Sequence, residues 1–558
     1  MYRILAVVSP LPKGAYVYFF CEEEVGWDVD AIVTLFLCCS FLLCVVMATA
    51  YDIFSLHKEQ KSKEDGKVRI QLEGGEATPE ETNALNDDNK IKEVNGDEHE
   101  VAVVEENKEK PTERKKMKGI DIGDLVRAFS LVHNASKIFN TKIRPGSFPA
   151  LNGIRVLSMF WIILGHTIQF TGYRIDNVGY VLTTILPKFY FVTVWNATYA
   201  VDTFFLLSGL LLCYLTLKTL KKCNGKLNWG LFYFHRWWRI TPVYIMALAI
   251  WSSLLIHLAD GPSANATFNG ARQLCRDNWW ANLLYINNLY PFPGNVAKMC
   301  MGWSWYLAVD MQFFIITPPL LILLFKRPRL GIAATAVVCV VSFITTASLT
   351  GYWGLKAGLN SGFYNNRSLE NTGADRIYAK PYTRISTYLV GILTGYVMFA
   401  YESRRPKIPK WGLAVGWSVS TILAMIVIFG VWKTSSGKEL SQGAAIMYHT
   451  FSRFSFALAV AWVVLVCVFD YGGPVNTFLS WGIWAPLARL TFCAYLLHPV
   501  LLFLYIFPSK VLFHYWGFQT FYTFIATIVL SYAAAFVLSI VVEAPTMGLE
   551  KMFFSQKN

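Results

Sequence analysis

The sequence predicts an all-α, polytopic transmembrane bundle of about eleven membrane-spanning helices. Three observations predict it. Of 558 residues, 54% are hydrophobic and only 16% are charged, where a soluble domain carries about 25% charged residues. The apolar residues fall in blocks of about 20, the length that crosses a hydrocarbon core of roughly 30 Å. Lys and Arg gather in the short loops between blocks, where they attract anionic lipid and fix orientation. The formal charge of +13 is therefore no nucleic-acid footprint. A soluble multidomain fold is excluded, since too much apolar surface would face water.

Residues 1–30 form a short extracellular or lumenal segment. Its apolar run, Ile4 to Val8, is too short for the core of a signal peptide. The first span, residues 31–50, follows Glu22-Glu-Glu24 and precedes Lys58, Lys61, Lys63 and Lys67. That charge bias puts the N-terminus outside and residue 51 onward in the cytosol. Residues 51–118 are densely charged and predict a disordered cytosolic linker. In residues 119–147, Ile122, Leu125, Val126, Phe129 and Val132 follow helical spacing, which predicts an amphipathic helix lying on the membrane or packed on the protein.

Residues 148–550 hold the remaining spans, at roughly 152–172, 197–217, 239–258, 303–325, 331–350, 383–401, 411–431, 447–469, 485–507 and 518–542. Residues 551–558 form a cytosolic tail. Alternation puts the basic loops Lys218 to Arg239, Lys326 to Arg329 and Arg404 to Lys410 inside. It puts the glycosylation sequons at Asn265 and Asn366 outside, where an acceptor must be; the sequon at Asn134 falls inside and is silent. The outer loop 259–302 contains Cys275 and Cys300, which face an oxidising compartment and are expected to pair. Most other cysteines lie in apolar runs as packing residues.

An ionisable group at the bilayer centre costs at least about 2.5–3.5 kcal/mol, so each one is a candidate functional residue. Arg155 and His166 share one span. Eleven residues separate them, close to three full turns, so both face the same way about 16 Å apart. Arg155 alone reads equally as a snorkelling anchor, and His166 as a helix-to-helix hydrogen bond. A buried neutral His can also take a proton from an attacking hydroxyl. Asp202 opens the next span, where Ser208-Gly209 allow close helix approach; it reads as an orienting partner for His166, as the counter-ion of a nearby Arg, or, taken alone, as a structural residue. Arg236 and Arg239, three residues apart, place two guanidiniums on one helical face, which suits phosphate or pyrophosphate as well as an interfacial anchor. Asp310, Arg384, Arg453, His498 and Glu543 also fall in or beside apolar blocks, and together they imply a polar cavity inside the bundle. No metal-ligand cluster, phosphate-binding Gly-rich loop or Gly-x-Ser-x-Gly elbow is present.

Residues 148–550 resemble the membrane acyltransferase-3 family, and in detail its animal nose-resistant-to-fluoxetine branch. The matching features, in order, are Leu151-Asn-Gly-Ile-Arg155 with His166; Phe204-Phe-Leu-Leu-Ser-Gly209; the Arg236/Arg239 pair; and Trp303-Ser-Trp-Tyr-Leu-Ala-Val-Asp310. Lys380-Pro-Tyr-Thr-Arg384, Tyr495-Leu-Leu-His498 and Glu543-Ala-Pro545 follow. The resemblance implies an acyl donor, expected to be acyl-coenzyme A as co-substrate with no permanently bound cofactor, and transfer to a hydroxyl acceptor of unknown identity. It implies that His166 and Arg155 are essential for transfer and that the Arg236/Arg239 pair handles the donor, with Arg384 expected beside them. Asp202 or Asp310 is expected to orient His166. Animal members carry a large cysteine-rich extracellular domain before the first span; the short segment here points to a shortened isoform or an incomplete gene model. The expected partners are membrane lipids, the donor and the acceptor, and the expected location is the plasma membrane or endoplasmic reticulum. The rival reading is a transporter of lipids or hydrophobic xenobiotics, which intramembrane charge and a central cavity would also fit.

Overall fold

A computed structural model describes residues 4–9, 16–21, 26–72, 122–142, 146–261, 263–291, 298–358 and 374–554. An antiparallel hairpin pairs Ile4–Ser9 with Tyr16–Cys21. Among the described residues every later regular element is a helix, apart from one isolated bridge between Ile175 and Phe513. Among the described residues nine helices are long and apolar enough to cross a membrane, or ten when one bent pair is counted as a single span. The protein is an integral membrane helical bundle.

Helix α1, Val29–Leu72, does not stop at residue 50 as the expected linker boundary required. The stretch from 58 to 72 is rich in Lys, Glu and Gln, which are good helix formers, and it holds no Pro, so the helix continues past the apolar block. The rest of the expected linker, residues 73–118, lies outside the described residues, as do the first three residues of the expected amphipathic segment. The start of α1 is clamped to α7 (Ala264–Leu283): Asp28 pairs with Arg272 and Arg276, and Asp30 with Arg276.

The expected amphipathic helix is two helices, α2 (Ile122–Phe129) and α3 (Leu131–Phe139). They are separated by Ser130, whose Oγ caps α3 through the N–H of His133 at 3.3 Å and donates to Asp52 at 2.6 Å. Ser, Asp and Asn compete with helical bonding in this way and so favour caps. α2 packs against α1 and the terminal helix α16 (Ala544–Phe554). Arg489 of α14 (Trp484–Ile506) donates to the carbonyls of Lys137, Ile138 and Asn140 at the end of α3. The segment is thus packed on the protein. Asn134 is 3% exposed and donates to the Ala128 carbonyl, which makes its sequon inaccessible in the folded chain.

The remaining long helices are α4 (Ala150–Thr171), α5 (Tyr199–Lys222), α6 (Trp229–Ala249), α8 (Trp305–Ile316) and α9 (Pro318–Lys326). They are followed by α10 (Pro328–Tyr352), α11 (Pro381–Ala400), α12 (Lys410–Phe429), α13 (Gln442–Val468) and α15 (Gly517–Leu538). α8 and α9 meet at a 43° bend, where Pro318 supplies no N–H to the helical ladder. The span expected over 383–401 is α11, which is not among the nine. It is enclosed by α5, α10 and α13, and its Thr383, Arg384, Ser386, Thr387 and Thr394 are buried against protein. An enclosed helix needs less apolarity than one in contact with lipid. By contrast α10, α12 and α15 leave large aliphatic side chains exposed, among them Val337, Ile344, Ile426 and Val529.

The closest crossing is between α5 and α11. A Cβ on Gly209 would collide with the carbonyl oxygen of Tyr388, one on Gly391 with that of Leu206, and one on Gly395 with that of Leu210. The small residue at Gly209 does allow close approach, as glycine commonly does between membrane helices. This crossing fixes the position of Asp202 on α5 against Arg384 on α11.

Candidate active site

Two cavities of about 870 Å³ each open inside the bundle. One reaches toward the end that holds the bonded pair Cys275 and Cys300, and Cys300 is in its wall. The other is lined by Lys142, Arg155, Arg236, Arg239 and Arg489. They are called here the disulfide-side and basic-side cavities. Ile162 of α4 and Val201 of α5 line both, so they stand in the partition. Helix α4 runs from one cavity to the other: Arg155 faces the basic side and His166 the disulfide side. Three turns of α-helix connect them, as their spacing required.

His166 Nδ1 lies 2.7 Å from His498 Nε2, and His498 Nδ1 lies 3.0 Å from the carbonyl oxygen of Ala494. A carbonyl can only accept, so His498 Nδ1 carries the proton there. In a neutral ring its Nε2 then offers a lone pair, and His166 donates to it from Nδ1. That leaves the lone pair of His166 on Nε2, the nitrogen a general base needs free. His498 is fully buried. Its partner in sequence, Pro499, lies inside α14 and gives no N–H to the Tyr495 carbonyl. Phe170 stacks on His166 at 5.1 Å between ring centroids.

The two expected orienting carboxylates do not serve His166. Asp202 Oδ1 accepts from Arg384 Nη1 at 2.9 Å, and both side chains are 1% exposed. Arg384 is held further by its Nε–H to the Tyr378 carbonyl at 2.7 Å and by the faces of Trp305 and Tyr378. Asp310 pairs with Arg236, whose Nη2 also donates to Ser208 Oγ at 3.2 Å. Each carboxylate is drawn to the nearest guanidinium because a buried charge requires a partner. Arg384 is also not beside Arg236 and Arg239: it lines the disulfide-side cavity, and they line the basic-side one.

On the basic side, Arg236 is committed to Asp310 and lies over the Phe314 ring at 4.9 Å. Arg155 and Arg239 have no hydrogen bond or ion pair among the described residues, and both face the cavity. Glu543 closes a π-turn, Ser539–Glu543. It accepts from Ser539 Oγ at 2.6 Å and Cys493 Sγ at 3.3 Å and lines the same cavity. Arg453 lines the disulfide-side cavity. Among the described residues no group of His, Cys, Asp or Glu could hold a metal ion. Asn265 lies in the first turn of α7, while Asn366 lies outside the described residues.

Comparison with known proteins identifies the family. Residues 148–543 match the acyltransferase domain of the acyltransferase-3 type. The chain belongs to the acyltransferase-3 family. It is 33% identical over 454 residues to nose resistant to fluoxetine protein 6 of Caenorhabditis elegans, covering 77% of this chain and 54% of that protein. It is 24% identical over 388 residues to regulator of hypoxia-inducible factor 1 of the same organism, covering 65% of this chain and 72% of that one. It is likewise 24% identical over 306 residues to a Staphylococcus aureus protein named "Putative O-acetyltransferase", covering 53% of this chain and 42% of that protein. The chain therefore spans about half the length of the nose-resistant-to-fluoxetine relative. No solved structure matches it. What the sequence did not reveal is that His498, 332 residues further on, is the partner of His166.

Proposed function

We propose that the chain is a membrane-embedded O-acyltransferase that moves an acyl group from acyl-coenzyme A, held in the basic-side cavity, to a hydroxyl in the disulfide-side cavity. The observation that carries this reading is the His166–His498–Ala494 hydrogen-bond chain, which leaves His166 Nε2 with a free lone pair in a cavity wall. Arg155 and Arg239 bind the phosphates of the donor, and the pantetheine arm runs past Ile162 and Val201 toward His166. His166 Nε2 takes the proton of the acceptor hydroxyl as its oxygen attacks the thioester carbonyl. The carbon–sulfur bond then breaks, and the thiolate leaves as thiol with the proton returned from His166. His498 holds the Nδ1–H in place while His166 becomes charged, the part a carboxylate plays in a catalytic triad.

The basic side is read as cytosolic and the disulfide side as outer or lumenal, from the loop charges and the bonded cysteines. The membrane is the plasma membrane or the endoplasmic reticulum.

The test is turnover of radiolabelled acyl-coenzyme A by purified protein in liposomes, wild type beside His166→Ala. Loss of a general base costs about 10²–10⁴-fold. Wild-type rates in a correctly inserted His166→Ala protein would overturn the scheme. A second reading, a transporter of lipids or hydrophobic xenobiotics, is favoured by the two cavities of equal volume that open to opposite ends. It predicts no turnover with any chain length but uptake of labelled lipid into the same liposomes.

A further inference from the structure

Among the described residues the Asp, Arg and His side chains that line the disulfide-side cavity are His166, Asp202, Arg384, His449, Arg453 and His514. Most are accounted for. Asp202 is neutralised by Arg384. His449 Nε2 bonds the Lys356 carbonyl at 3.0 Å, and His514, at the exposed rim, bonds Asp176 at 2.9 Å. His166 is tied to His498. Arg453 is the exception. Among the described residues its one hydrogen bond is a long one, 3.4 Å from Nη1 to the Ile377 carbonyl. Among the described residues no carboxylate pairs with it. Among the described residues the only acid in the wall is Asp202, which is already bonded to Arg384, so two guanidiniums face one carboxylate and the described wall carries a net positive charge. A second, independent sign is the Nη2 of Arg384. That side chain is fully buried, yet among the described residues this nitrogen has no hydrogen-bond partner.

The remainder of the wall is largely aromatic and aliphatic, with Trp195, Trp251, Trp303 and Phe503 among its residues. An uncompensated cation in such a setting is costly and is retained where it has a role. A guanidinium fork suits carboxylate, phosphate or sulfate oxygens. We infer that the acyl acceptor is an amphiphile bearing both a hydroxyl and an anionic group, with the anion held by Arg453 while the hydroxyl is presented to His166. This rests on the acyltransferase reading for the hydroxyl, but the anion site stands on Arg453 and Arg384 alone.

Lysophosphatidate and monoacylglycerol test it as a matched pair, since both carry free hydroxyls and an acyl tail and only the first carries a phosphate. Glycerol 3-phosphate and glycerol form the soluble pair. The readout is thermal stabilisation of the purified full chain in detergent, which needs no turnover. The expected result is stabilisation by lysophosphatidate and not by monoacylglycerol. Arg453→Gln should weaken that binding roughly tenfold or more, the loss of one charge-assisted contact. Arg453→Lys should restore part of it. Stabilisation by glycerol 3-phosphate as well would assign recognition to the headgroup alone, whereas stabilisation by lysophosphatidate only would assign it to a lipid. Equal response to the charged and uncharged members, full response in Arg453→Gln, or no response to either phosphate compound would overturn the inference. Anion binding that depends on Arg453, in a protein that transfers no acyl group, would remove the acyltransferase reading and leave the anion site standing.

Discussion

Replacing His498 with Phe keeps a flat ring in the fully buried site but removes the acceptor that His166 Nδ1–H uses at 2.7 Å. His166 is then free to rotate and to exchange its proton between the two nitrogens, so the lone pair is no longer fixed on Nε2. The expected loss is that of a misplaced general base, about 10²–10⁴-fold, which corresponds to about 2.7–5.5 kcal/mol at 1.36 kcal/mol per tenfold. Because His498 acts through His166, the two losses should not multiply. His166→Ala with His498→Phe should lose no more than His166→Ala alone, as expected for residues that act as a unit. The assay is turnover of labelled acyl-coenzyme A in liposomes, with kcat and KM separated. The loss should fall on kcat, since Arg155 and Arg239, proposed above to hold the donor, are untouched on the far side of Ile162 and Val201. Two independent, multiplying losses, or an effect on donor KM alone, would refute the relay.

Further outcomes follow from packing and charge. Gly391→Ala should lower the melting midpoint in detergent, because the added Cβ meets the Leu206 carbonyl of α5 and the backbone there cannot yield; overpacking of this kind costs about 1–3 kcal/mol. Asp202→Asn should destabilise by about 3–5 kcal/mol, since it leaves Arg384 as an unpaired buried charge. Asp202→Leu with Arg384→Met should recover much of that loss, as judged by the same melting curve. Glu402, just beyond α11, accepts from Lys218 Nζ at 2.6 Å. That hydrogen bond holds its carboxyl below the usual carboxylate range. A depressed carboxyl contributes stability above its unfolded value and loses it as pH falls through the folded one. Both side chains are more than a third exposed, so solvent screens the pair and the contribution is at most about 1 kcal/mol. Glu402→Gln should therefore slightly lower the melting midpoint at neutral pH and leave it unchanged in acid.

The sequence by itself determined the class of molecule. Apolar blocks of spanning length, charge confined to loops and the order of motifs from Arg155 to Glu543 fixed a membrane bundle of the acyltransferase-3 type. The eleven-residue spacing of Arg155 and His166 was enough to place them at different depths of one helix, because helical rise is a local property. Local pattern also failed in identifiable places. α1 continues to Leu72 because helix propensity persists where hydropathy ends, and α2 and α3 separate because Ser130 caps rather than continues. α11 is less apolar than its neighbours because other helices, not lipid, surround it.

Only the tertiary structure decided the partners of the charged groups. From the sequence, Asp202 reads either as a support for His166 or as the counter-ion of a nearby Arg, and Asp310 as another support for His166. In the fold each carboxylate is claimed by a guanidinium, Asp202 by Arg384 across the glycine crossing of α5 and α11, and Asp310 by Arg236. His166 is left to His498. The physical reason is that desolvation makes an unpaired charge far more expensive than a neutral imidazole without a carboxylate. Which acid meets which arginine depends on how helices cross, and that is set by glycines and carbonyls far apart in the chain.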